Sequence, residues 1–243
     1  MVADHEPKPW FRAETKQAYQ LECASKNMAR DYLNARLFSS RTASQLREAV
    51  REGLVFVETS NRLTYIAPAL ADYFPKSRFI FLHRAPAAVI RSAMRRGYYV
   101  NNPWDPYRIE PNHDDQFSGE WPALSVFEKC CWYWRAVNEF SMGFIQTLAP
   151  GRCHTLASDS LFNCDHDQIV SLFDWIGVTP PSLPQIENIV GTRFNHQTRG
   201  EFPSWEDWSP YQRSRMREIT EPVASSLGYL TREDAQRGCF EMS

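Results

Sequence analysis

Glycine is scarce in this chain, with 10 in 243 residues, and only Gly53 precedes Glu58. The first fifty residues therefore hold no glycine-rich turn of the kind that cradles phosphate with main-chain N–H groups. Charge of one sign is not in excess either: 27 Lys and Arg face 29 Asp and Glu, a net charge of −2. Nothing in that balance suggests a nucleic-acid partner. No apolar run approaches the roughly 20 residues of a membrane-crossing helix. The opening Met1-Val-Ala-Asp-His-Glu6 lacks the basic and apolar regions of a signal peptide. The six cysteines include no C-x-x-C pair and, apart from the neighbours Cys130 and Cys131, occur singly. That excludes a regular disulfide framework and reads as reduced thiols in a cytoplasm. Repeats and low-complexity segments are absent too.

Aromatic residues are plentiful at 14%, which suits an apolar cleft and equally a thick core. The length suits one globular domain. Residues 1–14, with Pro7, Pro9 and Trp10 among charges, read as an N-terminal arm before a single domain over 15–243. Helical spacing covers Glu14 to Phe38, and a second helix runs from Ala43 to Arg51, ended by Gly53. Leu54-Val-Phe-Val57 is the first convincing strand. Asn61 to Tyr73 has a helical pattern that Pro68 must kink or bound.

The next stretch, Arg78 to Tyr99, organises the rest. Phe79 to Leu82 is a short buried strand, Pro86 suits the first turn of a helix, and Val89, Ile90, Ala93 and Met94 share one helical face. Gly97 is placed to cap that helix. Arg84 thus stands at the carboxyl end of a strand, where open α/β sheets bind ligands, and its planar fork of donors matches phosphate. Ser92 lies two turns along the polar face. A structural carboxylate for Arg84 and plain solvation for Ser92 is the alternative. Tyr98 to Trp121 is a long polar and aromatic loop of the length that serves as a lid or substrate wall. Leu124 to Leu148 is the longest helix, with a core stripe that includes Phe127, Cys130, Trp134 and Phe140. Cys153 to Leu156 is a short strand, Asp167 to Ile176 a helix, and Gln212 to Leu227 the last helix. Strands alternating with helices imply an α/β fold, a parallel sheet flanked by helices.

Phe-Leu-His-Arg84-Ala-Pro followed by Ser92 resembles the segment of PAPS-dependent sulfotransferases in which an Arg, and a Ser eight positions later, bind the donor's 3′-phosphate. The flanks agree: Val57 to Leu70 with Tyr73-Phe-Pro75 upstream, and Trp175-Ile-Gly177, Trp205-x-x-Trp208 and Leu227-Gly-Tyr229 downstream. The likeness covers residues 50 to 230. It implies a P-loop-NTPase-like sulfotransferase fold, PAPS and its product PAP as the nucleotide pair, no metal, and a hydroxyl or amine of a small molecule as acceptor. Arg84 and Ser92 would hold the 3′-phosphate, with Arg193, Asn195 and the nearby Arg199 in a loop that in relatives returns toward the nucleotide.

The family's opening strand and Gly-x-x-x-Ser-Gly-Thr-Thr-like turn, which hold the 5′-phosphosulfate, have no counterpart here. Three readings stand open: a chain shortened at its start and lacking its first strand, a loop supplied by another segment or subunit (a homo-oligomer or a completing partner), or the fold kept without transfer activity. Sulfuryl transfer needs a base for the acceptor proton. Glu58 is the candidate, although Glu58-Thr-Ser-Asn61 stands where relatives have Glu-Lys-Thr-Pro; the alternative makes it a helix cap or ion-pair partner. His83 is a second candidate base, but alternation sets it opposite Arg84, as a packed histidine. Tyr98, Tyr99 and Trp104 are candidates for the acceptor wall. Arg95 and Arg96 join them or close the helix as solvated charges. His113-Asp-Asp115 and Asp165-His-Asp167 lack zinc-site spacing and read as solvated loops.

Overall fold

The structure is a computed structural model that describes residues 1–6, 8, 11–21, 25–38, 40–191 and 200–229. Its first element corrects the expectation of an arm over 1–14. Val2–His5 is strand β1, parallel to strand β2, Phe56–Thr59, in the register Val2↔Phe56 to His5↔Thr59. The Glu6 N–H extends the ladder to the Thr59 carbonyl at 2.9 Å. An opening strand is therefore present; Pro7, Pro9 and Trp10, which suggested an arm, lie outside the described residues.

Helix α1, Arg12–Gln20, and helix α2, Lys26–Phe38, divide what the spacing joined into one helix from Glu14. Leu21, at the end of α1, is 60% exposed and shares no buried face with Ala18. Helix α3 is Ser40–Arg51. Strand β2 starts two residues later than expected because the Leu54 N–H turns back to the Ala49 carbonyl at 2.8 Å and still belongs to the helix end. Beyond it the Ser60 hydroxyl caps a 3-10 helix, Asn61–Ile66, and helix α4, Ala67–Tyr73, takes Pro68 into its first turn, where a missing N–H costs nothing. Pro68 is a boundary, not a kink.

Strand β3, Phe79–His83, leads into helix α5, Pro86–Arg95. Helix α6, Val126–Gln146, opens on a capping box in which the Ser125 hydroxyl and Glu128 exchange hydrogen bonds with each other's main chain. Strand β4, Cys153–Ala157, runs parallel to β3 from Phe79↔Cys153 to His83↔Ala157. Helices α7, Ser158–Phe162, and α8, His166–Ile176, follow. Helix α9, Leu183–Gly191, was not expected after Pro180-Pro181, yet Pro184 sits in its first turn and Gln185 takes the Ser182 N–H and hydroxyl at 2.9 Å. Helix α10, Pro210–Ser226, closes the described chain apart from a short tail to Tyr229.

Among the described residues the strands form two parallel pairs, β1–β2 and β3–β4, with helices packed around them. The core gathers on α6, whose Cys130, Cys131, Trp132 and Trp134 are all at most 2% exposed. From Phe127 to Asn138 that helix is buried on most sides, so it holds polar groups by hydrogen bonding: the Trp132 indole donates to Asp115 at 2.9 Å and Asn138 to the Trp134 carbonyl at 2.7 Å. No described helix is long and apolar enough to cross a membrane.

Candidate functional site

Arg84 follows the carboxyl end of β3, in the turn that leads into α5. The turn is fixed from behind, because the Trp134 indole on α6 donates to the Arg84 carbonyl at 3.0 Å, and Ala85, Pro86 and Ala87 are buried. The Arg84 side chain points the other way and is exposed, with its guanidinium carbon 5.1 Å from the centre of the Phe162 ring on α7. A main chain held by Trp134 thus presents an exposed fork of donors beside an aromatic face, and no structural carboxylate pairs with it among the described residues. Ser92 is half-buried on α5, and its hydroxyl makes no hydrogen bond among the described residues.

His83 faces away from Arg84, as the strand alternation requires. It is 8% exposed, and its Nδ1 lies 2.6 Å from the Tyr229 hydroxyl. Burial lowers its pKa, against the opposing pull of Asp159. The histidine therefore ties the chain after α10 to the end of β3.

A further stretch runs along α5. Arg91 Nε donates to the Phe202 carbonyl at 3.3 Å and Arg95 Nε to the Gly200 carbonyl at 3.1 Å. Gly200 has φ +74°, and a Cβ there would stand 2.1 Å from the Arg95 carbonyl oxygen, so only glycine allows this approach. Arg193, Asn195 and Arg199 lie outside the described residues.

Glu58 sits on β2 in a buried cluster. Arg36 grips its carboxylate with both arms of the fork, Nη2 to Oε1 at 2.8 Å and Nε to Oε2 at 3.0 Å, and the Tyr32 hydroxyl donates to Oε2. The two charged side chains are 3% and 6% exposed. The Arg36 guanidinium also lies over the Tyr32 ring at 4.7 Å and the Phe11 ring at 5.3 Å. Phe11, with φ 47°, is the residue that opens α1, so the cluster packs against the start of that helix. As placed, Glu58 is an ion-pair partner whose two oxygens are both engaged.

The candidates on the loop after α5 differ in what they offer. Tyr99 donates its hydroxyl to the Ile109 carbonyl at 2.7 Å and packs edge-on to Trp121, holding the loop together. The Tyr98 ring is covered by the Arg108 guanidinium at 3.2 Å. Trp104 is 50% exposed and lies 3.8 Å beneath the Arg12 guanidinium carbon, which ties the loop to the start of α1. Asp115, part of the acidic and histidine stretch, turns inward to Trp132 and Arg135. No group of three His, Cys, Asp or Glu among the described residues is placed to hold a metal ion.

Sequence reasoning missed the end of β1. His5 Nδ1 is 2.8 Å from the Thr59 hydroxyl, and Glu6, with φ 43°, pairs with Arg62 at 3.4 Å. Treating 1–14 as an arm hid these groups, and a two-residue apolar start, Val2-Ala3, is too faint a strand signal to have revealed them.

Residues 3–181 match the profile described as the sulfotransferase family, and the match begins inside β1. Two solved structures are similar. One is the sulfotransferase domain from the curacin biosynthetic pathway, at 16% identity and a TM-score of 0.46, covering 76% of this chain and 68% of its own. The other is the sulfotransferase domain from the Synechococcus PCC 7002 olefin synthase, at 16% identity and 0.48, covering 84% of this chain and 65% of its own. This chain thus spans about two thirds of each by those shares. No curated protein matches it.

Proposed function

The chain belongs to the sulfotransferase family, and from that premise we propose that it transfers a sulfuryl group from PAPS to a hydroxyl or amine of a small-molecule acceptor. The observation that carries the reading is the exposed Arg84 fork on a turn that Trp134 holds from behind, with the unengaged Ser92 hydroxyl on the helix that follows. Both are suited to the donor's 3′-phosphate. Arg193 and Asn195 would join them from the stretch preceding Gly200, whose carbonyl meets Arg95. The donor supplies an activated sulfuryl group; this chain has to hold the nucleotide, orient an acceptor and accept a proton. Trp104, half exposed with the Arg12 guanidinium over its ring, would lend the acceptor its uncovered part, whereas Tyr99 and Tyr98 act as the frame of that loop. The described cysteines are all unpaired thiols, which suits a cytoplasm.

A second reading, a nucleotide-binding protein without transfer, draws on one observation: the Glu58 carboxylate is buried and already accepts hydrogen bonds from Tyr32 and from both arms of Arg36. The two are separated by PAP release from PAPS in the presence of a panel of phenols, alcohols and amines. Acceptor-dependent release that Glu58→Gln suppresses supports transfer with Glu58 as base. Release that survives in Glu58→Gln keeps transfer and removes Glu58. Donor binding without release for any acceptor supports the second reading.

A further inference from the structure

The chain after α10 closes that helix in a Schellman motif. The Tyr229 N–H returns to the Ala224 carbonyl at 2.8 Å and the Gly228 N–H to the Ser225 carbonyl at 3.0 Å, with Gly228 at φ +80°. A Cβ at Gly228 would meet no atom within 4 Å, so the left-handed backbone alone calls for glycine there. The motif brings Tyr229 to the end of β3. Its hydroxyl lies 2.6 Å from His83 Nδ1, and its ring stands edge-on to the Trp134 ring with centres 6.4 Å apart. His83 is the last residue of the β3–β4 ladder, paired with Ala157, and Arg84 comes next. Beyond His83 the main chain leaves the sheet and is held at the Arg84 carbonyl by the Trp134 indole. Tyr229 thus touches both the side chain that ends the strand and the side chain that holds the turn. His83 is 8% exposed, so water does little to weaken the bond between them. Arg84 itself stands near enough to act on the Tyr229 hydroxyl: burial raises the pKa of that group first and the Asp159 charge next, with the Arg84 charge opposing.

We propose that Tyr229 is a positioning residue for the 3′-phosphate, acting through His83 and Trp134 to hold the Arg84 turn in the form that receives the ligand. The inference rests on the reading of Arg84 as the group that binds the 3′-phosphate, and adds to it a latch carried by the end of α10. A closed ring of contacts runs from His83 through Tyr229 and Trp134 to the Arg84 carbonyl. A guanidinium on a turn ordered beforehand gives up less entropy when it binds, so the latch strengthens binding without a new contact to the ligand. AMP lacks the group that Arg84 receives. The effect of the latch is therefore confined to ligands that carry a 3′-phosphate.

The test is titration calorimetry on the full chain with adenosine 3′,5′-bisphosphate and with AMP, in wild type, Tyr229→Phe, His83→Phe and the double variant. Tyr229→Phe keeps the ring against Trp134 and loses only the hydroxyl. Its bisphosphate affinity should fall roughly two- to tenfold while its AMP binding, however weak, stays at the wild-type level. His83→Phe should behave alike, and the double variant should bind no more weakly than the poorer single, because both changes remove the same hydrogen bond. Gly228→Ala leaves both partners in place but strains the motif that aims Tyr229, so it should lower bisphosphate affinity as well. Unchanged bisphosphate affinity in Tyr229→Phe overturns the proposal. So do additive losses in the double variant, or an equal loss for AMP, which a merely structural role would give. Should His83→Phe fail to fold, Tyr229→Phe and Gly228→Ala decide the matter by the same comparison. Wild type that binds the two nucleotides equally, or neither, overturns the Arg84 reading and the latch with it. Wild type that selects the bisphosphate, with Tyr229→Phe selecting it to the same degree, overturns the latch alone.

Discussion

Arg36 holds Glu58 by two parallel hydrogen bonds, 2.8 and 3.0 Å long, in a place where neither side chain is more than 6% exposed. Desolvation of both charges is costly, so the pair is sustained only because the geometry is bidentate and Tyr32 satisfies a further lone pair. The Arg36 guanidinium also lies against Phe11, where α1 begins. Removing one partner strands a buried charge. Arg36→Met is expected to lower stability by roughly 3–5 kcal/mol, and the double variant Arg36→Met/Glu58→Met by much less. Denaturant titration of the singles and the double checks this, and additive losses would count against the coupling.

Gly200 and Arg95 give a second test, this time of a close approach between main chains. Gly200→Ala puts a methyl where only 2.1 Å is available and also demands a left-handed backbone of a residue that avoids it. The expected loss is roughly 1–3 kcal/mol. Because the segment lies along the helix that carries Ser92, nucleotide affinity should fall with it. Stability and affinity equal to wild type would mean that the segment does not sit on α5 in solution.

The α6–α10 contact should show in the pH dependence of folding. Burial would raise the Glu128 pKa, but hydrogen bonds from Ser125 and the Arg215 fork at 2.6 Å outweigh it and bring it down to about 2 from 4.5. A carboxyl whose folded pKa is depressed adds stability that is complete above its unfolded pKa and is lost as pH falls through the folded one. Wild type should therefore lose stability progressively from about pH 5 to pH 2. Arg215→Met should be less stable at neutral pH and show a shallower fall in that window. Parallel stability curves for the two proteins would contradict this account.

The β3–α5 unit was legible in the sequence because each local signal agreed: a short apolar run, a proline suited to a first helical turn, and one apolar helical face. The long α6 was legible for the same reason, although its stripe omitted Trp132, which is fully buried through a hydrogen bond to Asp115 from another segment. What failed was non-local. Strand β1 has only Val2 and Ala3 to mark it, and it exists because its main chain pairs with β2 some fifty residues away. Helix periodicity joined α1 to α2 because nothing local distinguishes Leu21, which is exposed, from a core leucine. The ion-pair alternative for Glu58 was open in the sequence, but its partner could not be named, since Arg36 sits on a helix whose packing against β2 no spacing reveals. Likewise Tyr229 reaches His83 and Trp134 only through tertiary contacts.

The central claim is that Arg84, on its pinned turn, binds a 3′-phosphate. Calorimetric titration with adenosine 3′,5′-bisphosphate, with AMP as control, tests it most directly in wild type and Arg84→Ala. A charged hydrogen bond of this kind is worth roughly 1.5–3 kcal/mol, about 10- to 100-fold in affinity. The account predicts binding that requires the 3′-phosphate and is lost in a folded Arg84→Ala protein. Equal affinity for AMP and the bisphosphate, or an unchanged affinity in Arg84→Ala, would contradict it.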